Sequence, residues 1–107
     1  MTTYKINNTE VKAVRSTYAY GNKLAVVLIT VKGEQPYATI TVNLPDSYRL
    51  EDKNCAFVDT NNCPWVERFI CENDLGEFTG WYGFSGFCSY PMYRFKTDKI
   101  PMVQRGE

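Results

Sequence analysis

Hydrophobic and polar positions in the first 44 residues follow patterns that are typical of β-strands. Residues 10–20 alternate imperfectly, residues 23–32 contain the nearly continuous apolar run LAVVLITV, and residues 37–44 (YATITVNL) are apolar at every even position. A continuous β-branched run indicates a central strand covered on both faces, and strict alternation indicates one buried face. Turn sequences at residues 21–22 and 33–36 separate these runs. We therefore predict an antiparallel meander of three strands.

The second half of the chain predicts one helix between further strands. Residues 45–54 (PDSYRLEDKN) form a polar loop, and residues 55–59 (CAFVD) form a short buried strand. Pro64 suits a first helical turn, Asn62 can cap free N–H groups, and Gly76 suits the position after a helix end. The predicted helix spans residues 64–74 and packs on the sheet through one face, which consists of Trp65, Val66, Phe69 and Ile70.

Residues 76–95 (GEFTGWYGFSGFCSYPMYRF) carry the strongest compositional bias, with eight aromatic residues and four glycines. Repeated glycines disfavour a helix. We predict an irregular loop followed by a strand at residues 87–96, which Pro91 would restrict to a sheet edge. Residues 1–9 and 97–107 are interpreted as tails of a single domain. The expected fold class is α+β, with an antiparallel sheet of four to five strands and one helix packed on one face.

The balance of basic and acidic residues bears on which class of partner to expect. The chain has 107 residues, and 12 basic side chains balance 12 acidic ones. Duplex-binding proteins normally carry a basic excess, because their affinity comes from neutralising phosphates. No apolar run is long enough to predict a membrane-spanning helix, and the polar start predicts no secretory signal. We therefore expect a cytoplasmic protein.

The side chains present argue against catalysis and metal binding. The chain has no histidine, and its four cysteines (Cys55, Cys63, Cys71 and Cys88) lack the close pairs of a structural zinc site. Nucleophilic catalysis normally needs a neighbouring base, most often histidine. We expect no enzyme activity, no metal and no cofactor, with reduced cysteines acting as small apolar residues and Cys71 the most exposed of them.

The aromatic segment has two interpretations. Its rings could fill a core, with glycines allowing close backbone approach. Alternatively, some of Trp81, Tyr82, Phe84 and Tyr90 face outward and form a binding platform, since Tyr and Trp dominate interface energetics. We predict a mixture with at least two exposed rings. The candidate partner-binding residues are Trp81, Tyr82, Phe84 and Tyr90, together with charged residues of the polar loop, Asp46, Glu51 and Asp52.

Three segments, YATITVNL (37–44), AFVDTNNCPW (56–65) and SGFCSYPMY (85–93), resemble a small, largely uncharacterised family encoded on phages and conjugative elements of gut bacteria. The blocks DTNNCPW and SGFCSYP carry most of the resemblance. It implies a protein that acts in the cytoplasm of a bacterial host, with relatives that inhibit CRISPR effector nucleases. Members often place a basic residue where this chain has Trp81, so the chemistry of that position differs here.

Three functions follow as expectations. The first is an anti-defence protein, an anti-CRISPR inhibitor that binds a Cas9-type effector nuclease and blocks DNA engagement or cleavage. The second is a nucleic-acid-binding accessory protein of phage or plasmid maintenance, in which aromatic rings stack on bases. The third is a homodimer whose exposed aromatic residues form its own interface.

Overall fold

The computed structural model describes residues 2–19, 23–44 and 52–103. Its strands and helix are, in chain order, β1 (Tyr4–Ile6), β2 (Thr9–Thr17), β3 (Leu24–Thr30), β4 (Pro36–Thr39), β5 (Thr41–Val42), β6 (Cys55–Val58), α1 (Val66–Glu72), β7 (Gly76–Ser85) and β8 (Cys88–Phe95), followed by a 3₁₀ turn at Thr97–Lys99. The α+β class with antiparallel sheets and a helix is confirmed. The strands divide into two sheets of four.

The first sheet has the strand order β1-β2-β3-β4 and is antiparallel throughout. The predicted meander is confirmed, and β3 is an inner strand with Val26 and Leu28 fully buried. The predicted strand over residues 37–44 is wrong in one respect, because it breaks at Ile40. The Ile40 N–H donates to Val26 O of the first sheet, and Ile40 O accepts from Asp59 N beside the second. Ile40 thereby joins the two sheets.

The second sheet has the order β5-β6-β8-β7. Residues 76–95, predicted as an irregular loop and one strand, instead form the long hairpin of β7 and β8. The predicted edge position of Pro91 is also wrong, since β8 lies between β6 and β7. Pairing between β6 and β8 runs from Cys55 opposite Arg94 to Phe57 opposite Met92. Pro91 lies just before Met92, outside this paired stretch, so its missing N–H interrupts no pair of that ladder.

Helix α1 packs by the predicted face, with Val66, Phe69 and Ile70 buried and Trp65 half-buried. Its ends differ from the prediction. The helix begins at Val66, two residues after the predicted start, and Trp65 stands at its N-cap position without a side-chain hydrogen bond. Asn62, predicted as the cap, instead donates through its N–H and side-chain amide to the Asp59 carboxylate at 3.0 and 2.9 Å.

The helix ends before Gly76, at a residue with positive φ. Asp74 has φ 53°, its N–H donates to Cys71 O, and Leu75 N–H donates to Ile70 O. This is the Schellman arrangement, which satisfies the last carbonyl groups of a helix. Gly76 instead begins β7, where a Cβ would stand 2.7 Å from Arg94 O.

The core consists of two clusters on opposite faces of the second sheet. The larger cluster joins the first sheet, α1 and the side chains of Ala56, Val58, Tyr93 and Phe95. The smaller cluster contains Leu44, Cys55, Phe57, Tyr90 and Met92. Among the residues described, no helix has the length and apolar character needed to cross a membrane.

Residues 97–103, predicted as a tail, pack against the first sheet. Ile100 is fully buried in the larger cluster. Met102 forms a parallel bridge with Arg15 of β2, where Arg15 N–H donates to Pro101 O and Val103 N–H donates to Arg15 O, both at 2.8 Å. The polar residues 97–99 and Pro101 favoured the tail interpretation, whereas Ile100 between them is buried. At the other end, residues 4–6 of the predicted first tail form β1.

Candidate protein-binding surface

The β7–β8 hairpin projects its aromatic residues from a two-residue turn. Ser85 pairs with Cys88, and Gly86 and Phe87 connect them. Gly86 has φ 60°, which fits the first central position of a type II′ turn, a position that favours glycine. Phe87 takes the second position and is fully exposed. The turn therefore presents a phenyl ring at the tip of the hairpin.

A bulge interrupts β7 before the tip. Phe78 pairs with Tyr93 and Tyr82 pairs with Pro91, so three residues of β7 stand opposite Met92 alone. The Thr79 hydroxyl donates to Met92 O at 3.0 Å and accepts from Trp81 N–H at 3.2 Å. Gly80 takes φ 92° within the bulge. The side chain of Thr79 thus replaces a missing ladder bond and fixes the backbone that carries Trp81.

Five aromatic residues of the hairpin are exposed, and together they form what we call the aromatic hairpin surface. They are Phe78, Trp81, Tyr82, Phe84 and Phe87; the first four have exposed fractions between 44% and 63%. Phe78, Tyr82 and Phe84 pair with Tyr93, Pro91 and Ser89, so alternation along the strands places all three on one face of the sheet. The prediction of at least two exposed rings is confirmed.

Ring contacts connect this surface to the core. The Phe78 ring lies 5.3 Å from the Tyr82 ring and 5.7 Å from the Tyr93 ring, measured between centroids. Tyr93 is buried, and its hydroxyl donates to Glu67 of α1 at 2.8 Å. Burial and the Glu67 carboxylate together raise the pKa of Tyr93. Phe78 and Tyr82 are therefore connected through the ring of Tyr93 to helix α1.

Tyr90 occupies the opposite face and is buried in the smaller cluster. It pairs with Gly83, where a Cβ would stand 2.5 Å from Leu44 Cδ1 and 2.8 Å from Phe57 Cε1. The hypothesis that Tyr90 contributes to an outward platform is therefore wrong. Gly83 leaves space for Leu44 and Phe57, and these side chains cover this face.

The aromatic and acidic candidates are not brought together. Asp52 is exposed, accepts from Arg94 Nε at 3.0 Å and from Asn54 N–H at 2.8 Å, and these bonds lower the pKa of its carboxyl group. Arg94 stands five positions from Ser89 along β8, roughly 17 Å at 3.3 Å per residue. Asp52 thus lies at the base of the hairpin, away from Phe84 beside the tip. Asp46 and Glu51 lie outside the described residues.

The hairpin itself is uncharged over a long stretch. Residues 78–93 contain no Lys, Arg, Asp, Glu or His. A surface that binds single-stranded nucleic acid combines aromatic rings with cations along the backbone groove. A protein interface is instead depleted of charge at its centre and enriched in aromatic residues. The composition of the hairpin matches the second pattern.

The cysteines and a cleft beside β1 are the other candidates for a functional site. Burial raises the pKa of Cys55 and Cys63, which disfavours the reactive thiolate, and Cys71 is the exposed thiol as predicted. One cleft lies between β1 and the end of α1, where Asp74 pairs with Lys96 and Lys99. None of the five exposed aromatic residues lines it. In the described part of the chain, no cluster of side chains could hold a metal ion.

Sequence reasoning missed Phe78 and Phe87 as parts of the surface. Phe87 could have been found from the Ser-Gly-Phe-Cys sequence, because a glycine between two strands favours a two-residue turn whose second residue points to solvent. Phe78 could not, since its face depends on how far the bulge shifts the register.

Comparison with known proteins gives one finding. A family model described as a domain of unknown function (DUF4313) matches residues 13–106. No curated protein and no solved structure matches the chain significantly.

Proposed function

The chain belongs to the DUF4313 family, and we propose that it is a protein-binding domain that acts through the aromatic hairpin surface. One observation carries this proposal: five exposed aromatic residues stand on a hairpin segment without a charged side chain. Fully buried aromatic side chains contribute about 150–250 Å² each. At their exposed fractions, the five present roughly 600 Å² of aromatic surface in total, and Phe78, Tyr82 and Phe84 share one face of the sheet.

The geometry suits a contact surface. The ring contacts of Phe78 with Tyr82 and Tyr93 hold the rings of Phe78 and Tyr82 in place before binding, and the Thr79 hydroxyl fixes the backbone of Trp81. Binding then costs less side-chain entropy, because the rings of Phe78 and Tyr82 are already ordered. Trp and Tyr are the residues most often found at the energetic centre of an interface. Trp81 and Tyr82 therefore stand as the main anchors, with Phe84 beside them.

We further propose that the partner is a Cas9-type effector nuclease, which makes the protein an anti-CRISPR inhibitor of a mobile element. What supports this choice is the resemblance of residues 59–65 and 85–93 to proteins of phages and conjugative elements. Inhibition would occur by occlusion: the chain covers a surface of the nuclease that must engage DNA or move before cleavage. This mechanism needs no catalytic residue of its own.

A cleavage assay tests both levels of the proposal. Purified chain is added in rising molar ratio to guide-loaded Cas9-type nucleases before target DNA. We expect cleavage to fall as the ratio approaches equivalence with the correct nuclease. The Trp81→Ala/Phe84→Ala variant should lose inhibition, whereas Met102→Ala, which removes an exposed apolar side chain from the segment beside β2, should retain it. Undiminished cleavage at large excess across several effectors would reject the nuclease as partner.

Nucleic-acid binding is the second candidate, because exposed Trp, Tyr and Phe rings can stack on unpaired bases. A mobility shift with single-stranded DNA distinguishes the two. Stacking predicts a shift that weakens with salt and is lost in Trp81→Ala. If the chain shifts DNA while leaving nuclease activity intact, the accessory function replaces inhibition as the proposal.

A further inference from the structure

The outer strands of the two sheets differ in how far they are covered. In the first sheet, β2 has β1 beside one half and residues 101–103 beside Arg15 in the other half. At the other side, β4 has four residues and begins with a proline. In the second sheet, β5 has two residues, whereas β7 has ten. No strand in the described ranges pairs with the outer side of β7.

The backbone groups at this open edge follow from the turn. Ser85 and Cys88 close a two-residue turn, so their pair exchanges hydrogen bonds, and pairs alternate from there. Gly83 and Tyr90 then form a bonded pair, whereas Phe84 with Ser89 and Tyr82 with Pro91 form non-bonded pairs. Pro91 fits this pattern, because it has no N–H to donate. The N–H and C=O groups of Tyr82 and Phe84 consequently point away from β8, toward the open edge.

Natural proteins normally protect such an edge with charges, prolines or bulges. In β7 the bulge at residues 79–81 protects only the first half. Tyr82, Gly83, Phe84 and Ser85 carry neither charge nor proline. As far as the described residues go, this stretch is therefore an open template for another strand.

We propose that the occupant is β7 of a second copy of this chain, paired antiparallel about a two-fold axis. With Gly83 on the axis, Phe84 of each copy lies opposite Tyr82 of the other and exchanges backbone hydrogen bonds with it. Both rings lie on the same face of the joined sheet, where aromatic cross-strand pairs stabilise antiparallel strands. No like charges meet, because residues 78–93 contain none. The two four-stranded sheets become one sheet of eight strands.

The contact made by edge pairing is small. A standard interface buries about 800 Å² on each partner. Tyr82 and Phe84, each about half exposed, supply roughly 200 Å² between them, using about 150–250 Å² for each fully buried ring, and the edge backbone adds to it, so the expected dimer is weak and depends on concentration. This inference does not rest on the proposed function, since pairing needs only the chain itself. If both hold, the dimer hides the surface that a nuclease would bind.

Sedimentation velocity of the purified chain over a range of concentrations, combined with amide hydrogen exchange, tests the inference. We expect a monomer–dimer equilibrium. In the dimer the Tyr82 and Phe84 amides should become protected, and dilution should abolish this protection. Since these N–H groups face solvent in one copy, protection that depends on concentration identifies the edge directly. A monomer at every soluble concentration, or a dimer in which both amides exchange freely, would overturn the proposal.

A pair of variants separates the backbone contribution from the ring. Phe84→Ala removes the ring and keeps the N–H, whereas Phe84→Pro removes both, at an edge position where proline leaves the β8 ladder intact. Two outward N–H groups are lost per dimer, so Phe84→Pro should raise the dissociation constant roughly tenfold or more above Phe84→Ala. Equal dissociation constants would contradict strand pairing. If circular dichroism shows that Phe84→Pro does not fold, Phe84→Lys replaces it. This variant places two like charges near the axis, so we expect it to sediment as a monomer.

Discussion

Gly83 and Phe57 lie so close that the second sheet has no room for a methyl group between them. A Cβ on Gly83 would stand 2.8 Å from Phe57 Cε1, and Leu44 Cδ1 would be closer still. Phe57 and Leu44 are buried, so neither can move aside freely. The glycine is therefore required by packing on the face opposite to the aromatic hairpin surface.

Gly83→Ala should consequently lower the free energy of unfolding by about 1–3 kcal/mol, the usual cost of overpacking a core. Chemical denaturation measures this loss. Ser85→Ala, an exposed change two residues away, serves as the control and should stay within about 0.5 kcal/mol of the parent chain. A Gly83→Ala variant as stable as the control would mean that Phe57 and Leu44 repack at little cost.

The buried side chain of Ile100 predicts that residues 97–103 are needed for stability. Ile100→Ala should cost about 2–5 kcal/mol, because it removes a fully buried branched side chain and leaves a cavity. Met102→Ala, two residues on and half exposed, should cost far less. Thermal and denaturant unfolding of the two variants test this difference. Equal losses would contradict the assignment of this stability to the burial of Ile100.

The Tyr93–Glu67 contact predicts a loss of stability at alkaline pH. The folded pKa of Tyr93 lies above its ordinary value of 10.0, so its contribution is fully present below about pH 10 and is lost as the pH rises through the folded pKa. Tyr93→Phe should weaken stability at neutral pH by about 0.5–1.5 kcal/mol, since it removes one hydrogen bond to an exposed carboxylate. Above pH 10 its stability should fall less steeply.

The measurement is the free energy of unfolding from pH 7 upward for both chains. Tyr4 and Tyr18 also have raised pKa values, owing first to burial, so some alkaline loss should remain in the variant. Parallel curves for the parent chain and Tyr93→Phe would contradict the assignment of this contact.

The bulge of β7 depends on the Thr79 hydroxyl. Thr79→Val keeps the shape of the side chain but removes its bonds to Met92 O and Trp81 N–H. We expect a loss of about 1–3 kcal/mol, because Met92 O is left without this partner. Faster amide exchange at Trp81 should accompany it. Thr39→Val on β4 is a matched control at an exposed strand position, and an identical effect there would remove the special role of Thr79.

The sequence predicted those parts of the fold in which local pattern and burial agree. The apolar run of β3 and the face formed by Trp65, Val66, Phe69 and Ile70 are examples, since strand alternation and helical spacing reveal buried faces directly. The break at Ile40 was not predictable in this way. Residues 37–44 alternate without interruption, and only pairing with Val26 on one side and Asp59 on the other divides them.

The aromatic hairpin surface was predicted in part for the same reason. Aromatic excess correctly pointed to exposed rings at Trp81, Tyr82 and Phe84. It could not show that Tyr90 faces the other side, because the two-residue turn and the bulge together set the register of the hairpin. A shift of one residue exchanges the faces of a strand.

The attachment of residues 101–103 to β2 has a consequence for how the protein is made. Arg15 and Met102 are 87 residues apart along the chain, yet Arg15 Nε donates to Ile100 O at 2.7 Å and the two segments pair side by side. During translation, β2 and β3 leave the ribosome long before the segment that completes this edge. Half of β2 therefore has no neighbouring segment until residues 101–103 are made. A nascent chain halted before residue 100 would expose that edge to other chains.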